Sequence, residues 1–335
     1  MGAPVRIGPV EVKSHVWLSP MSGVSDLPFR RAASRLGARY VATEMVACEQ
    51  FALGHPDAVR RAAIGDGMPQ MIVQLVGGDP KWVAAAARIA RDAGADVIDL
   101  NFGCPAKEVT GIACGSALMR RPDLAERLTA AAVAAQDAPV TVKTRLGWDA
   151  DSRNAPELAR RVEAAGAAAI TVHGRTRSQF YTGRADWAAV AEVKNALRIP
   201  VIVNGDIVDG ASARQALELS GADAVTIGRA AVGRPWVASE IEAYLAGKIF
   251  VAPWGEALAD LVALHFQECL TFHGPALGLR MFRKHLAGYI QAAPTIATIE
   301  TRREARARLC RLETPGEVRL AIDGLWRTAT RRLAA

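Results

Sequence analysis

The sequence predicts an α/β chain: a (β/α)8 TIM barrel followed by a small C-terminal helical bundle. Three observations carry that expectation. Eight short runs rich in Val and Ile alternate with alanine-rich helical stretches over the first 245 or so residues. Three of the helical stretches stop at a glycine two or three residues before the next run. Beyond about Trp254 the runs cease while the helical pattern continues. The boundaries expected from this are a barrel over 1–250 and a helical domain over 251–335.

The runs are Val16–Leu18, Tyr40–Thr43, Met71–Leu75, Val97–Leu100, Val140–Lys143, Ala169–Val172, Val201–Val203 and Ala224–Ile227. They are mostly apolar without alternation, as parallel strands buried on both faces are. The helical stretches between them include Lys81–Ala93, Asp123–Ala135, Ala155–Ala165 and Ala211–Leu219. Gly94, Gly166 and Gly221 follow three of these helices, where a left-handed residue ends an α-helix. Eight such units without a Rossmann glycine fingerprint favour a closed barrel over a doubly wound open sheet. In the tail, Glu256–His273 reads as a helix stopped by Gly274. Pro275 opens another to about Gln291, and Thr301–Leu312 and Pro315–Leu333 complete the bundle.

Bulk properties narrow the classes. The chain has 335 residues, of which 50% are apolar and 22% charged, so a large core is expected and disorder is not. No run of apolar residues is long enough to span a membrane. The start, Met1-Gly2-Ala3-Pro4, has neither an apolar signal core nor the Ser or Thr at position 6 that myristoylation uses. Five scattered cysteines without CxxC spacing fit a reducing cytoplasm better than a disulfide framework or a structural zinc site. The net charge is +7, of which +4 lies in residues 256–335, a distribution that suits a polyanionic partner.

Chemistry in such a barrel sits at the C-terminal ends of the strands. In order, those ends carry Ser19-Pro20-Met21, Glu44-Met45, Gln74, Asn101 with Cys104, Lys143 with Arg145, His173 with Arg175, Asn204-Gly205-Asp206, and Gly228-Arg229. Glycine-rich ends on the last two strands match the usual phosphate site of the fold, where backbone N–H groups bind an anion and Arg229 adds charge. Gln74 and Lys143 suit the edge and the developing negative charge of a flat heterocycle, requirements that FMN meets. A metal is not expected, because no cluster of histidines with a carboxylate stands at the strand ends.

Several segments together carry a family likeness. They are Ser19-Pro20-Met21-Ser22-Gly23-Val24-Ser25-Asp26 with Pro28-Phe29-Arg30, Thr43-Glu44-Met45, and Leu100-Asn101-Phe102-Gly103-Cys104-Pro105 with Gly111 and Gly115-Ser116-Ala117-Leu118. Lys143-Thr144-Arg145-Leu146-Gly147, His173-Gly174-Arg175, Asn204-Gly205-Asp206-Ile207, Gly228-Arg229-Ala230 and Arg283-Lys284-His285 follow in order. In these the chain resembles the tRNA-dihydrouridine synthases, flavin enzymes that reduce uracil bases in transfer RNA. Arg283-Lys284-His285 points to the bacterial B-type subgroup. One departure is Ser19, where the family usually has Ala, a small residue for a small one.

The resemblance implies an NADPH-driven enzyme that reduces the C5–C6 double bond of uridines in tRNA. Its FMN would be held at Ser19, Pro20, Met21, Gln74, Lys143, His173, Asn204, Gly205, Asp206, Gly228 and Arg229. Hydride would pass from flavin N5 to C6, and Cys104 would protonate C5. Asn101 and Arg145 would line the substrate side, and Arg175, Arg177, Arg283 and Lys284 would bind the RNA backbone. A thiol is mostly protonated near neutrality, and a Gly-Cys-Pro turn can aim it, so Cys104 is a reasonable acid. By itself Cys104 could equally be a small buried hydrophobe, and Cys114, deeper in the same loop, is the alternative thiol.

His173 alone would read as structural, whereas a lone Lys143 at the end of a buried strand favours a site. The arginines at 302, 303, 306, 308 and 311 read as a solvated face, and His265, His273 and Trp326 as bundle core or surface. Two other functions fit parts of the pattern: a flavin oxidoreductase acting on a free pyrimidine, as dihydroorotate dehydrogenases do, and a non-catalytic nucleic-acid-binding regulator. The first leaves the basic tail unexplained, and the second leaves Cys104, Lys143 and Arg229 without a purpose. A monomer is expected.

Overall fold

The computed structural model describes residues 3–111, 113–292 and 298–327. A short antiparallel hairpin, β1 (Val5–Ile7) and β2 (Val10–Val12), opens the chain. Eight parallel strands follow: β3 (Val16–Leu18), β4 (Ala42–Ala47), β5 (Ile72–Val76), β6 (Val97–Asn101), β7 (Val140–Arg145), β8 (Ala169–His173), β9 (Val201–Asn204) and β10 (Ala224–Ile227). Each is hydrogen-bonded to the next from β4 to β10, and β10 pairs with β3. A parallel bridge between Leu18 and Val41 joins the two ends, so the sheet closes into the expected barrel.

Helices cover the outside: α1 (Leu27–Arg35), α2 (Cys48–Ala52), α3 (Pro56–Arg61), α4 (Pro80–Asp92), α5 (Lys107–Thr110), α6 (Pro122–Ala135), α7 (Ala155–Ala164), α8 (Val190–Ala196), α9 (Gly210–Ser220) and α10 (Val237–Leu245). Their starts are written locally. Asp26, Asp79 and Asp209 accept hydrogen bonds from first-turn amides of α1, α4 and α9, and α1, α3, α4, α6 and α7 carry proline in the first turn. Gly94, Gly166 and Gly221 take φ of +102°, +98° and +63°, the left-handed stop that their spacing predicts.

The main core lies between the sheet and these helices, built from alanine on the helices and Val, Ile and Leu on the strands. A smaller core fills the N-terminal end of the barrel. There Val5, Ile7 and Val12 of the hairpin pack with Trp17, Tyr40, Ile72 and Val97, and Trp17 stacks on Tyr40 at 4.2 Å. The hairpin thus plugs the bottom of the barrel. It was absent from the sequence expectation because two three-residue strands leave little periodicity.

The tail forms α11 (Gly255–His273), α12 (Pro275–Ala292), α13 (Ile299–Leu309) and α14 (Pro315–Ile322), with a π turn at Asp323–Arg327. The last expected helix, Pro315–Leu333, is seen as α14 and this π turn up to Arg327, and residues 328–333 lie outside the described residues. These helices have their own apolar core, including Phe266, Phe282, Tyr289 and Trp326, joined by Trp236 from the barrel side. α11 packs on α1, where Arg35 forms a two-pronged ion pair with Glu268.

Tail and barrel come backbone to backbone at two glycines. A Cβ on Gly233, at φ +76°, would lie 1.9 Å from the Gly288 carbonyl carbon, and one on Gly288 would lie 2.8 Å from the Gly233 nitrogen. Both obstacles are backbone, so neither side can yield cheaply. Gly233→Ala is expected to lower stability by about 2–3 kcal/mol through backbone strain and forced separation of α12. Denaturant unfolding checks this, and a change below about 0.5 kcal/mol would show that the junction tolerates separation.

Candidate functional site

The strand ends open into one cavity of about 1190 Å³. Its lining includes Ser19, Pro20, Met21, Gln74, Asn101, Cys104, Lys143, Arg145, His173, Asn204, Gly205, Asp206, Gly228 and Arg229, with Lys284 arriving from the tail. The sequence-predicted cofactor residues are thus brought together.

At the base of one wall is a carboxylate that the strand-end reading passed over. Asp99 is buried in the middle of β6. One of its oxygens accepts from Gln74 Nε2 at 2.6 Å and the other from Thr141 Oγ1 at 2.6 Å. Burial raises its carboxyl to about 6, against the opposing pull of Thr141 and Gln74. Because Asp99 takes the Gln74 N–H, the Gln74 carbonyl is left to accept from Asn101 Nδ2 at 2.9 Å. The Asn101 carbonyl oxygen in turn accepts from Gly103 N (3.2 Å) and Cys104 N (2.8 Å).

Cys104 ends this chain of bonds. Its carbonyl accepts from both N and Oγ of Ser116, and Arg145 Nε donates to Gly103 O at 2.8 Å. The turn is therefore held from both sides, with the half-buried thiol on the cavity lining. Burial pushes the thiol up from its usual value, which keeps its proton on. Cys114, the alternative thiol, is buried and lies outside the lining.

Lys143 Nζ donates to Asn204 Oδ1 at 3.1 Å, and Asn204 Nδ2 donates to Thr226 O and Ser19 Oγ. Burial, with Arg145 nearby, pushes the ammonium down to about 8. His173 is buried beside Lys143, Arg145, Arg175 and Arg229. Desolvation and that positive surround hold its imidazole well below the usual range, hence neutral. Its Nδ1 has no hydrogen-bond partner. Gly205 lies against His173 at φ +113°, and a Cβ on Gly228 would meet nothing within 4 Å. That leaves open space beside Arg229, with the shape of a cradle that an anion would fit.

Two expected roles change. Arg175 was expected on RNA but is 1% exposed. Its guanidinium binds both oxygens of Asp206 and the carbonyls of Thr182 and Gly183, so its donors are spent inside the protein. The Asp206 carboxylate, at φ +54°, is likewise taken by Arg175, Arg229 and the Ala185 amide. Asp206 thereby holds the Arg229 guanidinium at 3.2 Å, beside the open space at Gly228.

The other expected RNA contacts differ in their surroundings. Arg145 is also internal, donating to Thr176 O and Phe180 O, yet it borders the cavity. Arg177 lies over the Trp148 ring and Arg283 donates to Leu312 O, while Lys284 stands exposed at the mouth. Exposed Phe180 and Tyr181, which the sequence reading had not singled out, pack edge to face on the same rim, with Arg229 over Tyr181.

A deep mouth with open space beside Arg229 after its last strand, and a half-buried thiol on the turn that follows β6, suits a barrel enzyme that holds a cofactor at its strand ends. The chain belongs to the dihydrouridine synthase family, whose model matches residues 17–320. It is 51% identical over 281 residues to a probable tRNA-dihydrouridine synthase of Rhodobacter capsulatus, covering 83% of this chain and 86% of that protein. It is 44% identical to tRNA-dihydrouridine synthase B of Xanthomonas campestris, over 95% of this chain and 94% of that one. Among solved structures, morphinone reductase in complex with tetrahydroNAD shares the fold at 13% identity and a TM-score of 0.53, over 76% of this chain and 93% of that one.

Lys143 carries a stability cost with a defined pH window. Its proton is held less tightly folded (about 8) than unfolded (10.5), so the cost is full below pH 8 and vanishes above 10.5. Lys143→Met is expected to stabilise the cofactor-free chain by up to about 3 kcal/mol at pH 7, screening by water in the mouth reducing this. The gain over wild type should shrink between pH 8 and 10.5 in thermal unfolding. A gain independent of pH would mean the lysine is not strained.

Proposed function

We propose that this chain is a tRNA-dihydrouridine synthase of the B-type subgroup. It uses FMN and NADPH to reduce the C5–C6 double bond of uridines in tRNA. We place catalysis in residues 1–250 and tRNA docking in 251–335, in a cytoplasmic monomer. The observation that carries the reading is the thiol of Cys104, kept protonated on the lining of the same cavity that holds the anion cradle.

The residues present fit FMN. The cradle at Gly205, Gly228 and Arg229 suits its phosphate. The unpartnered His173 Nδ1 and the Lys143 ammonium are free to meet the polar edge of a flat ring, with Ser19, Pro20, Met21 and Gln74 lining the remaining wall. When bound and reduced, the flavin supplies hydride for uracil C6. This chain's residues do the rest.

Cys104 Sγ gives its proton to C5 and becomes a thiolate beside Arg145 and Lys143, whose charges stabilise it until solvent restores the proton. Asn101, fixed by Gln74, orients the base. The base must leave its stack in folded RNA to reach the mouth, where Phe180 and Tyr181 offer flat faces and Lys284 and Arg229 positive charge.

Cys104→Ala is expected to keep its flavin and lose turnover by about 10²–10⁴-fold. Normal turnover would remove the thiol from the mechanism. Arg229→Ala should weaken FMN binding about tenfold to a hundredfold, as loss of a charge-assisted bond does, and full occupancy would put the phosphate elsewhere. The decisive experiment is anaerobic: reduce the bound flavin, then add tRNA lacking dihydrouridine. Rapid reoxidation by tRNA, with none by free uridine or orotate, is expected. Reoxidation by a free pyrimidine would instead make this a metabolic oxidoreductase.

A further inference from the structure

No metal was expected, because the strand ends carry no histidine cluster, but the folded chain gathers ligand-type side chains elsewhere. Asp26, the N-cap of α1, meets His265 of α11 and His285 of α12 where barrel and tail join. A carboxylate oxygen and a ring nitrogen from each histidine all lie within 4.8 Å of one another. All three residues are buried, Asp26 at 2% and both histidines at 1% exposure.

The hydrogen-bond inventory points the same way. His285 has no partner on either ring nitrogen. His265 uses Nδ1 on the Tyr289 hydroxyl at 3.0 Å and leaves Nε2 unpartnered. Buried polar atoms are almost always bonded, so two imidazoles with unused nitrogens facing one carboxylate call for a ligand. The surroundings are those of a metal site. Ligating histidines bond a neighbour through the other nitrogen, as His265 does, and ligating carboxylates are themselves hydrogen-bonded. Asp26 receives the Phe29 amide on one oxygen and lies 2.8 Å from His273 Nε2 on the other. Phe29 stacks on His285 at 5.5 Å, excluding water from one side.

We propose that Asp26, His265 and His285 bind a divalent metal ion of the zinc class, with His273 orienting the carboxylate. Two imidazoles and one carboxylate are a zinc donor set, and the remaining position of a tetrahedral ion is filled by water in three-ligand sites. The ion does no redox chemistry here. It ties α11 and α12 to the N-terminus of α1, only a few residues beyond the Ser19–Val24 wall of the cavity. The proposal is independent of the reaction assigned to the mouth.

The test uses the full-length chain stripped with a chelator and titrated anaerobically with Co(II), then with Zn(II). One Co(II) per chain is expected, with ligand-field absorption, without sulfur charge transfer, and displaced by one Zn(II). Zn(II) should also raise the thermal midpoint by about 2 °C or more. His285→Gln and His265→Gln should each weaken binding at least about 100-fold, and His273→Gln by about 10–100-fold. X-ray absorption on the wild-type Zn(II) form, which needs no variant to fold, should show imidazole nitrogen and oxygen only. No stoichiometric uptake, sulfur in the shell, or full affinity in His285→Gln would each overturn the assignment.

Discussion

The orientation of one buried carboxylate governs the mouth of this barrel. Ionised, Asp99 can only accept, so above about pH 6 it fixes which end of the Gln74 amide faces it. That choice propagates without ambiguity. Gln74 must offer its carbonyl to Asn101, and Asn101 must offer its own to the amides of the Cys104 turn. An amide alone could be turned over at small cost. A carboxylate two bonds upstream removes that freedom, and preorganised dipoles are what a site needs to act without rearranging. The thiol is thus positioned by the interior of β6 as well as by its own loop.

The strands were legible because parallel strands covered on both faces spell themselves as apolar runs, and the helix stops because glycine alone adopts their backbone comfortably. That Cys104, Lys143, His173 and Arg229 line one cavity was legible because a barrel brings its strand ends together. Asp99 was hidden by the same rule: inside Val97-Ile98-Asp99-Leu100 it counted as strand. The signal was present, since a carboxylate in an apolar run is rarely buried without partners.

Arg175 was misjudged for a physical reason. An arginine at a strand end reads alike whether it reaches outward to a phosphate or inward to an acid, and only Asp206, 31 residues on, decides. The tail showed its helices but not its contacts. His265, His273 and His285 are spread over two helices, and no spacing reveals that they converge on an aspartate at the start of α1. Likewise the approach of Gly233 to Gly288 has no local signature, because each is an ordinary glycine until the other arrives.

The hairpin plug has a kinetic meaning. With Val5, Ile7 and Val12 packed into one end of the cylinder, the door among the described residues is the mouth at the other end. Anything that gives electrons to a ligand held inside and anything that receives them must use that door in turn. A donor still in place blocks the acceptor. A ligand held in the mouth and served in that order would have to store what the first visitor leaves until the second arrives.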